Sequence, residues 1–250
     1  MADKYYAVGQ GKVYLAVRDA NGPAAPFQWI GDADNFAVTG TEENLEFRES
    51  WSGLRVKVID LITATDLSVT MTIRNIDAKN LATAFYGTMS TGTGASVTGE
   101  AHSAYVGSPV FLANPGVSAV VATKGVTPLV AGTDYTLDAK YGRLDMIPTS
   151  TVITGPGANA ITVNYTYASY EGKVEALTAG ARNYSIRFEG SSAYDQLPMI
   201  ATLYNVRLSV PANLEFIGTE VGALELTGGV QIANEVTAVG LSKFMSIIRG

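Results

Sequence analysis

Asp66-Leu67-Ser68-Val69-Thr70-Met71-Thr72-Ile73-Arg74 is the stretch that decides the fold class. Leu67, Val69, Met71 and Ile73 alternate with Ser68, Thr70, Thr72 and Arg74, the period of two that marks a strand with one buried face. Upstream, residues 36–49 follow the same rule at greater length: Glu42, Asn44, Glu46 and Arg48 fall on one face, Leu45 and Phe47 on the other. Between the two, residues 50–64 open with Ser50-Trp51-Ser52-Gly53-Leu54-Arg55 and mix apolar side chains with Arg55 and Lys57. They show neither a period of two nor one of 3.6, so they read as a long excursion between two strands. Downstream, residues 77–86 predict the one helix. Asp77 caps it, Leu81, Ala82 and Phe85 form its apolar stripe, and Gly87 stops it.

Strand signals continue in both directions. Residues 13–17 and 27–30 are short strands separated by the turn chemistry of Asn21-Gly22-Pro23. Residues 89–99 are rich in Thr, Gly and Ser, and residues 100–170 then read as a separate set of short strands at 106–112, 117–123, 135–137, 143–147 and 161–167. Asp138-Ala139-Lys140-Tyr141-Gly142 is a hairpin connection with glycine where a positive φ is needed. Longer strands resume at 183–189 and 200–210, the second with Ile200, Tyr204, Val206 and Leu208 on one face, and shorter ones follow at 214–217 and 223–232. The expectation is a mainly β chain, sandwich or barrel, with one short helix. A hairpin-rich module at 100–170 is inserted between two halves of a larger β domain, residues 1–99 and 171–250.

Composition narrows the function. Only 16% of the residues are charged, against about 25% in an ordinary soluble domain. Apolar residues make up 47% and mean hydropathy is +0.15, so apolar surface has to be hidden in a large core or in protein–protein interfaces, which are poor in Lys and Glu. A net charge of −6 argues against tight nucleic-acid binding, which needs clustered cations. No cysteine is present, which removes disulfides and thiolate chemistry. No run approaches the ~18 apolar residues of a membrane span, and Met1-Ala2-Asp3-Lys4-Tyr5-Tyr6 lacks a leader's basic and apolar regions. Glycosylation patterns at Asn164 and Asn183 are expected to be coincidental without a secretory context.

Catalytic constellations are sparse. His102 is the one histidine, and no serine sits in a G-x-S-x-G elbow. Asp32-Ala33-Asp34-Asn35 opens like a calcium loop but lacks the glycine and the distant glutamate that would complete it. Gly9-Gln10-Gly11 has no partner glycine for a phosphate cradle. Glu42, Glu43, Glu46 and Glu49 are the densest carboxylates; a glycosidase pair needs only two, but no sugar-stacking aromatic array accompanies them. A solvated acidic strand is the expectation, with no catalytic residue, metal or cofactor.

Two polar-faced strands at 36–49 and 66–74, flanking a loop that begins Ser50-Trp51-Ser52-Gly53 and followed at once by a short helix, form an order that resembles the N-terminal half of the tail tube proteins of long-tailed, siphovirus-like bacteriophages. Strands 183–189 and 200–210 are similar to that family's second half. The resemblance spans roughly residues 8–90 and 180–235; the 100–170 module lies outside the minimal family core. It implies subunits that close into hexameric rings and stack into a tube around a tape measure protein, with tail terminator and tail tip proteins as further partners. DNA would pass transiently through the lumen of a virion tail made in the host bacterial cytoplasm. Under this resemblance Glu42, Glu46, Ser68, Thr70 and Thr72 line the lumen, an acidic and hydroxyl-rich face that repels phosphate. Trp51, Leu54, Val56, Val58 and Ile59 bury against an adjacent ring, or else fold back on their own domain. Other readings are a ring protein of a contractile injection system, or an adhesive or carbohydrate-binding β module. The last would need an aromatic platform, whereas the 13 tyrosines are scattered.

Overall fold

The alternating segments become ladders. The computed structural model describes residues 9–193 and 196–250, so the reading of Met1–Tyr6 lies outside the described residues. In chain order the first elements are β1 (Gly9–Asp19), β2 (Gly22–Pro23), β3 (Gln28–Trp29), β4 (Ala33–Arg48), β5 (Lys57–Ile73) and helix α1 (Ala78–Ala84). There follow β6 (Thr88–Gly92), β7 (Ala95–Ala104), β8 (Pro109–Phe111), β9 (Val117–Lys124), β10 (Thr127–Pro128), β11 (Tyr135–Asp138), β12 (Arg143–Met146), β13 (Asn159–Tyr167) and β14 (Tyr170–Glu175). The chain returns through β15 (Asn183–Ser192), β16 (Pro198–Leu208), β17 (Leu224–Val230) and β18 (Met245–Arg249). It divides into two units, Met1–Thr88 with Val174–Gly250, and Met89–Lys173. The crossing strands β6 and β14 pair with each other.

In the first unit one antiparallel sheet runs β2-β1-β15-β16-β17-β5-β4, with β3 added to β1 and β18 to β16. Val69, Met71 and Ile73 of β5 bury completely, in one cluster with Val13 of β1, Ile186 of β15 and Leu224 of β17. Strands far apart in the order therefore share one core. Phe36 of β4 stacks on Phe188 of β15 with ring centroids 5.6 Å apart, so the sheet curls until distant strands face each other. No ladder joins its ends among the described residues; the fold is mainly β but the barrel alternative is corrected to an open, curled sheet. On β16 the expected alternation through Tyr204 is also corrected. An irregularity lets Ile186 pair Leu203 and Tyr184 pair Val206, which shifts the parity and buries Leu203, Val206 and Leu208 together.

Helix α1 begins as its sequence predicts, with the Asp77 carboxylate accepting the Asn80 amide at 2.7 Å. Its end is different. Tyr86, not Gly87, adopts the left-handed conformation at φ 47°, and the Gly87 amide donates back to the Ala82 carbonyl at 2.8 Å. Gly87 is required for space: a Cβ there would lie 2.8 Å from the Glu175 carbonyl oxygen. The helix closes after seven residues. Buried Asn80 ties it down, its amide donating to the carbonyls of Ile30 and Asn75, both at 2.8 Å.

The second unit has its own core. A four-stranded sheet, β10-β9-β13-β7, and a three-stranded sheet, β11-β12-β8, bury Ala122, Ile161 and Val163 against Val110, Leu144 and Met146, as in a small sandwich. Residues 95–99, within the Thr-, Gly- and Ser-rich stretch, are the start of β7, and Ala95, Ser96 and Val97 pair with β13. Gly142 turns the β11–β12 hairpin at φ 63°, and a Cβ there would collide with the Asn114 carbonyl oxygen.

Candidate functional site

The stretch read as an excursion is a hairpin arm. β5 starts at Lys57, not after residue 64, and pairs with β4 through Arg48. The connecting loop is confined to residues 49–56, closed by the Glu49 amide donating to the Val56 carbonyl at 3.0 Å. Val58 and Ile59 are therefore strand residues, a correction to the loop reading. The lost period has a physical cause. Register irregularities between Glu43 and Asn44 and between Phe47 and Arg48 leave Thr63 and Val58 unmatched on β5. Two extra residues in this short span erase a period of two.

Register then shows a reversal of polarity along the arm. Near the body, Phe36 opposite Met71 and Val38 opposite Val69 occupy the core-facing side, and Ala37 opposite Thr70 and Thr39 opposite Ser68 the other. Opposed residues share a face. Followed outward, the core side becomes Glu42 with Thr65, Asn44 with Ile62, Glu46 with Asp60 and Arg48 with Lys57, polar but for Ile62. The opposite side becomes Leu45 with Leu61 and Phe47 with Ile59, all four at least 48% exposed. So the face that is apolar over the core turns mainly polar and charged on the arm, and the face that is polar over the body turns apolar beyond Glu43.

Ion pairs organise the charged side. The Lys57 ammonium meets the Glu46 carboxylate and lies 3.0 Å from Asp60, and Arg48 lies 3.4 Å from Glu46. The hydrogen bond from Lys57 holds the Glu46 carboxyl below its ordinary pKa, and the same bond raises that of Lys57. Being exposed, these pairs add little stability; they keep one side of the arm wet. At the tip, the Ser52 hydroxyl donates to the buried Glu49 carboxylate and accepts the Leu54 amide at 3.2 Å. Those bonds hold Trp51 and Leu54 outward, 86% and 81% exposed.

The five residues expected at an adjacent ring, Trp51, Leu54, Val56, Val58 and Ile59, all lie on the arm or its tip and are all exposed. The five expected at a lumen do not share a face. Ser68, Thr70 and Thr72 are on the side opposite Val69 and Met71, whereas Glu42 and Glu46 continue the side of Val69 and Met71. Leu45 and Phe47 were legible only as the apolar face of a half-exposed strand, and Leu61 and Ile62 only as part of the excursion; all four are exposed.

Residues read for other chemistry have structural partners. His102 Nε2 lies 2.7 Å from a Glu100 carboxylate oxygen, and that carboxylate also accepts the Ala113 amide and the Tyr165 hydroxyl. The Asp34 carboxylate accepts from Arg74 at 2.6 Å. Asn164 accepts the Gly99 amide at 2.6 Å, and Asn183 donates to Asn205 and Gln231. Among the described residues no three His, Asp or Glu side chains gather as metal ligands, and no helix is long and apolar enough to cross a membrane.

A family model described as Protein of unknown function UCP028589 matches residues 6–248. The chain belongs to that family. Its span takes in the arm, α1 and the cores of both units. No curated protein matches the chain.

Proposed function

We propose that this protein is a non-enzymatic, self-assembling structural subunit, and that its assembly is the tube of a long-tailed bacteriophage tail. The observation that carries the reading is the reversed polarity of the hairpin arm. Leu45, Phe47, Ile59 and Leu61 present a connected apolar face to solvent, in a chain that has only 16% charged residues. A monomer rarely leaves such a patch bare; it marks a protein–protein contact. An edge supports the same reading. Among the described residues β4 has a ladder partner on one side only, so a strand of 16 residues offers unpaired backbone groups that a neighbour can complete. The order of strand, Ser-Gly loop, strand and short helix supports the choice of a tail tube among assemblies. On this reading copies of the chain form stacked rings that enclose the tape measure protein before DNA passes. The lumen face is taken from one side of the β4–β5 ladder, either the Ser68, Thr70 and Thr72 side or the Glu42 and Glu46 side, not both.

Negative-stain electron microscopy of the purified chain over a range of concentrations tests this. Rings or hollow tubes with a lumen of roughly 20 Å or more, wide enough for a grooved duplex, are the expected result. Closed dimers or a monomer with a bound sugar would replace the tube reading with an adhesive or carbohydrate-binding one.

A further inference from the structure

The arm tip has a counterpart elsewhere in the same unit. Beside α1 lies an apolar groove of about 420 Å³ lined by Leu81, Phe85, Val174, Ala176, Leu214 and Phe216. Phe85 and Leu214 form its floor, packed on the core, while Phe216 stands at its rim 86% exposed. Glu215 lies in sequence between the lining residues Leu214 and Phe216, on a segment shared with a neighbouring pocket that holds Arg74 and Glu220, and Glu215 makes no ion pair among the described residues. The arm tip offers apolar side chains for that groove and one unpaired cation for Glu215. It projects Trp51 and Leu54 with Arg55 beside them; Arg48 and Lys57 are paired with Glu46 and Asp60, whereas Arg55 makes no ion pair among the described residues.

Tip and groove cannot meet within one copy. β5 runs 17 residues from the tip to the segment that enters α1, roughly 50 Å at the rise of a strand. A contact between them is therefore between copies, and it joins two different patches. Such a heterologous contact repeats head to tail and builds rings or filaments instead of closed dimers.

We propose that the arm tip of one copy seats in the groove beside α1 of a second copy, with Trp51 and Leu54 against Phe85 and Phe216 and Arg55 beside Glu215. The proposal rests on the self-assembly reading and names the receptor for the arm. Trp and Arg are the residue types that anchor interfaces when a pocket takes them, and the facing charges steer the encounter.

Because the chain has no cysteine, two single variants make a clean test. Ser50→Cys marks the tip next to Trp51, and Ala176→Cys marks the exposed margin of the groove. Each is purified alone, mixed one to one, and oxidised. The expected result is a disulfide-linked dimer in the mixture at least tenfold more abundant than in either variant alone. A mixture that cross-links no better than the separate variants overturns the docking, as does linkage in Ser50→Cys alone, which would mean tip meets tip. Electron microscopy of the same unoxidised samples separates the two readings: tubes without the mixed disulfide leave the tube standing and remove the groove. Charge exchange gives a second measurement. Arg55→Glu and Glu215→Arg should each weaken self-association several-fold by sedimentation, and the two together should restore it. Two losses that merely add overturn the pairing.

Discussion

Met71 and Thr70 are neighbours in sequence with opposite fates. Met71 has no exposed surface while Thr70 stands on the far side of the ladder. Met71→Ala should cost about 2–5 kcal/mol, from lost transfer energy and a residual cavity. Thr70→Ala should stay within about 0.5 kcal/mol. Urea titration of the two variants against the parent checks the contrast, and equal losses would mean that the face assignment is wrong. Asp134 illustrates a charge that folding depends on. The Ser150 hydroxyl donates to it at 2.6 Å and the Val130 amide at 2.8 Å, and these bonds, the Ser150 one first, hold its carboxyl below the ordinary range. A lowered folded pKa contributes stability that is present above the unfolded value, about 3.9, and is lost as pH falls through the folded one. Ser150→Ala should therefore shift the acid unfolding of the second unit to higher pH, read by amide exchange of β11 and β13. An unchanged acid midpoint would remove Asp134 from that role.

At the scale of elements the hairpin carries the functional argument. Its apolar outer face makes no contact in the monomer that stability would need, since Leu45 and Leu61 are both more than half exposed. Leu45→Ser with Leu61→Ser should leave the urea midpoint nearly unchanged, within about 1 kcal/mol, while reducing self-association at least tenfold in analytical ultracentrifugation. Trp51→Ala with Leu54→Ala should likewise keep the fold and weaken stacking of rings. Normal tubes from that pair would take the tip out of the assembly. Elements that follow local rules are legible in the sequence alone: the Asp77 cap, the Gly142 turn and the strand around Met71 each depend on residues within a few positions. The outer half of β5 is not, because Thr63 and Val58 interrupt its period and nothing buried marks its face. The end of α1 misleads for a related reason. Gly87 looks like a helix stop, but its small size serves the approach of Glu175, which arrives from β14, far along the chain.

For the whole molecule the two separate cores make a direct prediction. The segment Met89–Lys173, expressed alone, should fold with a single cooperative transition, because its buried cluster draws on no residue outside it. Joining Thr88 to Val174 by a short linker should keep the first unit folded, since β6 and β14 pair where the chain crosses. Circular dichroism and amide-resolved NMR of the two pieces check both. A disordered 89–173 fragment would show that its sandwich relies on the rest of the chain. The linkered first unit, which retains the arm and the groove, also provides an assembly test free of the second unit.

The sequence by itself determined what is local. Alternation made the chain mainly β, one capped stripe made helix α1, and scarce charge with abundant apolar residues required hidden surface. Tertiary structure decided what depends on partners distant in sequence. Val13 meets Phe188, and Phe36 lies over the same ring, so only the strand register and packing show that the sheet curls without becoming a barrel. The same register decided which side of the arm is apolar. A period of two says that a strand has two faces, but which face meets the core, and whether the core extends that far, depends on pairings and bulges that no short window of sequence contains.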